Sequence, residues 1–175
     1  MILNKVLFQR DPTQTKLLND GVDFTGKSIG RQASFFIGGS ANLNADPLEP
    51  EMRLMRRKVE AGAHFFFTQN VFDERVLERF CEGAKKFGRP VIVGVLPLAN
   101  QRHAEFLHNE VPGMTVPEPV RERMRKAGEE RGPAEGQAMA RDMIAACRSL
   151  AAGVYLVPSF GRYDIVAELI ADGGR

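Results

Sequence analysis

Four short apolar runs, each followed by helical periodicity, limit this chain to very few folds. The runs are residues 34–38 (Ser-Phe-Phe-Ile-Gly), 64–69 (His-Phe-Phe-Phe-Thr-Gln), 90–97 (Pro-Val-Ile-Val-Gly-Val-Leu-Pro) and 153–157 (Gly-Val-Tyr-Leu-Val). They are apolar nearly throughout, as strands are when both faces are covered. The first ends in Gly38-Gly39-Ser40 and reads as a buried strand. Pro47 to Ala61 reads as a helix. Pro50, Glu49 and Glu51 suit its first turn, Met52, Met55 and Val59 form one stripe, and Gly62 stops it. Asp73 caps a second helix with Val76, Leu77, Phe80, Ala84 and Phe87 inward. Further helices are expected over Gln101 to Asn109, Pro117 to Ala127, Pro133 to Leu150 and Tyr163 to Ala171. Residues 1–33 are weakly patterned and rich in turn signals, so they are expected to be irregular, with the folded unit over 34–175.

Strand-helix alternation of this kind means a parallel sheet with right-handed crossovers. The early strands lie roughly 30 residues apart, one βαβ unit each. Two architectures fit: a small open doubly wound sheet, or part of a (β/α)8 barrel. A dinucleotide-binding sheet carries a Gly-rich turn after its first strand, and Gly38-Gly39-Ser40-Ala41-Asn42 only approximates it. Polar residues follow every strand instead: Ser40 and Asn42, Gln69 and Asn70, Asn100, then Ser159 and Arg162. In a barrel those ends form the active-site face, which favours the barrel without closing the alternative.

Composition narrows the function classes. The 175 residues are 43% hydrophobic and include 12 Phe, enough apolar material to offset chain entropy, so disorder is excluded as the main state. A formal charge of +2 demands neither nucleic acid nor a membrane surface. The basic run from Arg53 to Lys58 reads as a solvated helix face. No run approaches the ~20 apolar residues that cross a bilayer, and the N-terminus lacks signal-peptide features, so a cytoplasmic location is expected. Cys81 and Cys147, both in helical stretches, read as core thiols. His64, His103 and His108 show no metal-ligand spacing, and Ser40 and Ser159 lack a nucleophile elbow.

Gln69 sits where a strand ends, and an uncharged amide there can read a heteroaromatic edge or simply cap a loop. Arg162, between Phe160-Gly161 and Tyr163, suits a carboxylate or a flat ligand, or else a helix-start surface. Lys58 by spacing alone is a surface lysine.

Beyond these patterns, the stretch from Ser34 to Leu169 resembles the C-terminal part of methylenetetrahydrofolate reductases. Four strings carry the resemblance: SFFIGGSANLNADPLEPE, RRKVEAGAHFFFTQNVFD, GVLPLANQRHAEFLHNEVPGMTVPE and AGVYLVPSFGRYD. LNDGVDFTGKSIG, at Leu18 to Gly30, is similar to the segment that precedes them in the family. The likeness is greatest to the reductase portion of bifunctional homocysteine methyltransferase/reductases. It implies an α/β fold, the C-terminal half of a (β/α)8 TIM barrel with about four βα units. It also implies FAD as cofactor and a hydride passed from NADH or NADPH to 5,10-methylenetetrahydrofolate, giving 5-methyltetrahydrofolate for methionine synthesis. Position by position, Gln69 matches a glutamine on the pterin and Arg162 an arginine on the folate side. Lys58 and Glu51 match contacts to the ribityl-phosphate part of FAD. Leu107 falls where some members place a phenylalanine against the ligand, and His103 where some have a glutamine.

A full barrel takes ~250 residues, so four strands correspond to its last half. The family's catalytic acid and most of its flavin contacts lie in the early strands, which have no counterpart here. The expectation is a chain that pairs with a copy of itself or with a complementary N-terminal half-barrel, and that alone does not turn over at a family-like rate. A non-catalytic folate- or flavin-binding protein or partner subunit is the other reading.

Overall fold

The computed structural model describes residues 6–9 and 13–173. In chain order the elements are β1 (Val6–Gln9), α1 (Thr13–Asn19), β2 (Phe36–Ala41), α2 (Glu49–Glu60), β3 (Phe65–Asn70) and α3 (Glu74–Lys85). β4 (Val91–Val95), α4 (Gln101–Glu110), α5 (Glu118–Leu150), β5 (Gly153–Leu156) and α6 (Tyr163–Gly173) follow. All five strands are parallel, and their order across the sheet is their order in the chain. That order decides between the two architectures. A doubly wound sheet reverses its strand order at a switch point, whereas right-handed crossovers between successive neighbours put every connecting helix on one face. This is a run of (β/α)-barrel units.

The core confirms that helices take one face. Phe66, Val91, Val93 and Val95 from the strands pack with Met52 and Met55 of α2, Leu77 and Phe80 of α3, Met143 of α5, and Ile165 and Leu169 of α6. Cys81 and Cys147 lie in the same cluster as free buried thiols. Burial pushes Cys147 up to about 12, with Cys81 adding to the shift. A second cluster, Leu96, Leu98, Ala104, Leu107, Val116 and Met124, sits where α4 meets α5. No helix of the described residues is long and apolar enough to cross a membrane.

Three details correct the sequence reading. The segment 1–33, expected to be irregular, contains both β1 and α1, which makes five strands among the described residues rather than the four expected. β1 has four residues and α1 seven, too short to show periodicity, and β1 exists through its register with β2, from Val6 opposite Phe36 to Gln9 opposite Gly39. Gly38 and Gly39 lie within β2 rather than ending it. A Cβ on Gly38 would fall 2.6 Å from the Phe65 ring, and one on Gly39 would fall 2.9 Å from Phe66. Bulky rings on β3 therefore require the missing side chains on β2. Finally, the expected gap from 127 to 133 is a sharp kink at Gly128, whose φ of 68° favours glycine, and the helix runs on through Pro133.

Candidate functional site

On β2 and β3, alternate residues divide between the faces. Ile37, Ala41 and Phe66 are buried on or near the helix side, so Phe36, Ser40, Phe65 and Phe67 belong to the other. There the rings form a continuous row. Phe36 stacks on Phe65 at 5.0 Å, Phe65 meets Phe67 edge-on at 5.4 Å, and Phe67 meets Tyr155 of β5 at 5.2 Å. Phe36 also stacks on His64, whose Nδ1 accepts from the Ile37 amide, so His64 ties β3 to β2.

Where this row reaches the C-terminal ends of the strands, a cleft of about 590 Å³ opens, lined by Ser40, Phe67, Gln69, Asn70, Met114 and Tyr155. Its floor is aromatic and its rim carries amides. Asn44 closes the near side, donating from Nδ2 to the Gly113 carbonyl at 3.1 Å and bringing in the turn that carries Met114. The Tyr155 hydroxyl donates to the Thr68 carbonyl at 2.7 Å, and burial holds its pKa above the ordinary tyrosine value, so it stays neutral. Gln69 Oε1 is buried without a hydrogen-bond partner among the described residues. A second cavity of about 160 Å³ lies on the helix side between β4 and α5, walled largely by Val71, Val95, Leu98, Met139 and Met143. Its wall is mostly aliphatic, so the amide-rimmed cleft is the site suited to a flat polar-edged ligand.

The structure sorts the residues expected from sequence into three places. Gln69 lines the cleft. Lys58 and Glu51, both on α2, hold the end of β2. Lys58 Nζ donates to the Ser40 carbonyl at 2.5 Å, and Glu51, 9% exposed, accepts from the Asn42 amide at 3.1 Å. His103 and the turn bearing Arg162 form a separate group beyond β4 and β5. The Phe160 ring packs 4.8 Å from His103, and Ser159 Oγ donates to the Pro97 carbonyl. Phe160 is 77% exposed at a φ of 51°, a conformation costly for an aromatic residue. Arg162 points its guanidinium at Asp164, with Nε 2.9 Å from Oδ1, and that pairing holds the Asp164 carboxyl down at about 2. Leu107 is 6% exposed inside the α4 cluster, so the residue expected against a ligand is packing the helix instead. Tyr155 and Met114 were not legible as site residues, because the sheet order that brings β5 near β3 and the turn over Gln69 are both non-local.

These features define a class: a parallel (β/α)-barrel unit set with a ligand cleft at the C-terminal strand ends, where barrels keep their active sites. A family model for methylenetetrahydrofolate reductase matches residues 33–166, well over half of the chain. The chain belongs to the methylenetetrahydrofolate reductase family. No curated protein matches it.

Proposed function

We propose that the cleft binds the pterin of 5,10-methylenetetrahydrofolate and that the chain serves FAD-dependent reduction of that substrate to 5-methyltetrahydrofolate, with NADH or NADPH as donor, in the cytoplasm. The carrying observation is Gln69: a buried amide oxygen without a partner among the described residues, at the rim of an aromatic cleft, in a chain of this family. An aromatic floor stacks a flat ring, and an orphaned acceptor asks for a ligand N–H.

The residues at the end of β2 fit the cofactor in chemistry. Lys58 reaches the Ser40 carbonyl and Glu51 the Asn42 amide, so an ammonium and a carboxylate both lie at this strand end, the group types that a phosphate and sugar hydroxyls require. Lys58 would meet the phosphate and Glu51 the ribityl hydroxyls. When bound, FAD supplies the hydride chemistry. The chain's own share is to stack the pterin on Phe67 and Tyr155, to fix its edge through Gln69 and to exclude water beneath the Gly113-Met114 turn. Arg162, released from Asp164, would meet the folate's carboxylate end, with His103 shaping the wall behind it. Five strands do not close a barrel, so the proposal includes a complementary N-terminal half-barrel that supplies the remaining strands.

Absorbance spectroscopy tests this. With the complementary half present, a flavin spectrum should bleach with NADH and recover on adding methylenetetrahydrofolate. Gln69→Leu should weaken folate binding by about tenfold or more, the cost of losing one or two buried hydrogen bonds. A flavin-free protein that binds folate with unchanged affinity after Gln69→Leu overturns the reading.

A further inference from the structure

We propose that Asn70 is a second ligand-reading amide in the cleft, its Oδ1 accepting an N–H from the exocyclic amino group of the heterocycle that Gln69 also holds; this rests on the folate reading above. Strand geometry argues against it at first sight, since neighbours on a strand point to opposite faces. The sheet departs from that rule at this point. Phe66 and Phe67 pair with Val91 and Ile92, but the next pairing is Asn70 with Gly94, so β3 has slipped one residue past β4. Such a bulge re-aims the side chain that follows it and recurs beside active sites. The Thr68 hydroxyl fills the break, accepting from the Gly94 amide at 3.2 Å and donating to the Gln69 carbonyl at 2.7 Å.

Gly94 shows where Asn70 now points. Its neighbours Val93 and Val95 belong to the helix-side core, so a Cβ on Gly94 would project from the opposite, aromatic face. There it would fall 2.7 Å from Asn70 Oδ1 and 2.7 Å from the Tyr155 hydroxyl. Gln69 and Asn70 therefore both line the cleft. Asn70 is 6% exposed, and its Oδ1 has no hydrogen-bond partner among the described residues. A buried orphan acceptor is costly unless a ligand completes it. Two successive orphaned acceptors, on Gln69 and Asn70, select an edge that offers two adjacent N–H groups. The 2-amino group and N3–H of a pterin are such an edge. Gly94 is then part of the specificity device, because any larger residue would occupy the space of the Asn70 amide.

The experiment measures binding of 5-methyltetrahydrofolate, and of the analogue with its 2-amino group replaced by methyl, to the full chain and its variants. Asn70→Leu removes the acceptor at similar volume. It should weaken 5-methyltetrahydrofolate binding by about tenfold or more while changing analogue binding by less than about twofold. Asn70→Asp keeps the acceptor oxygens and should retain affinity within about threefold. Should Asn70→Leu fail to melt cooperatively, Asn70→Asp carries the test through its preference for the amino compound. Equal losses for both ligands, or none for either, in a protein whose wild type binds folate, overturn the role of Asn70 alone. A wild type that binds neither ligand overturns the folate reading and this inference with it.

Discussion

His103 accepts the Ala99 amide through Nδ1 at 3.2 Å, so the imidazole must be neutral for that bond to exist. Burial lowers its pKa from the ordinary histidine value. The unfolded chain therefore binds the extra proton first, and stability falls as pH drops below about 6.5 toward the lower folded value. Melting temperatures across that window should decline in the wild type and decline less in His103→Gln. Equal pH dependence of the two proteins would remove His103 as the cause. Arg162 carries a related argument. Its partner Asp164 lies two residues away, and the pair is exposed, so its worth is small. Asp164→Asn should free the guanidinium and strengthen binding of a polyglutamylated folate by up to about fivefold at low salt. No change would place Arg162 outside the site. Gln69 was legible because a polar amide at the end of a strand carrying three successive phenylalanines is anomalous in a buried run. Leu107 was not, because a leucine one turn from Ala104 looks the same whether it faces a ligand or a helix.

At the scale of elements, close backbone approach explains both what the sequence showed and what it concealed. The apolar runs marked β3, β4 and β5 within a residue or two, since burial on both faces leaves little room for polar atoms. The glycine pair in β2 read as the end of the strand, where glycine is more common, and only the Phe65 and Phe66 rings across the ladder reveal why the strand continues. α5 holds a similar device. A Cβ on Gly132 would lie 2.8 Å from the Ala99 carbonyl oxygen, and one on Gly136 only 1.8 Å from that of Leu98. The helix thus rests directly on the backbone that leads from β4 to Asn100, the cap of α4, whose Oδ1 accepts from the His103 amide at 2.9 Å. Because both partners are main chain, neither can turn aside. Gly136→Ala should cost about 1–3 kcal/mol or more in urea unfolding, with the loop displaced and His103 more exposed. A loss below a few tenths of a kcal/mol would show that α5 slides freely over the loop.

At the scale of the molecule, the order β1 to β5 settles the barrel-type winding but leaves the sheet open among the described residues, where β1 pairs with β2 and β5 with β4. An unpaired parallel edge is a template for another strand. The face that a closed barrel fills with its own side chains here carries Phe36 at 45% exposure, and β5 is half-buried along its length. Apolar rings left in water favour any partner that covers them. Without a complementary half-barrel, the chain should therefore self-associate, with sedimentation showing an average mass that rises with concentration. Amides on the outer edge of β5 should exchange quickly in the lightest species and slow down as association proceeds, since protection there requires a strand from elsewhere. Adding a complementary N-terminal half-barrel should suppress self-association and protect the same amides. A chain that stays at single-chain mass at every concentration, with the β5 edge already protected, would mean that the edge is covered within the chain, and the need for outside strands would fall.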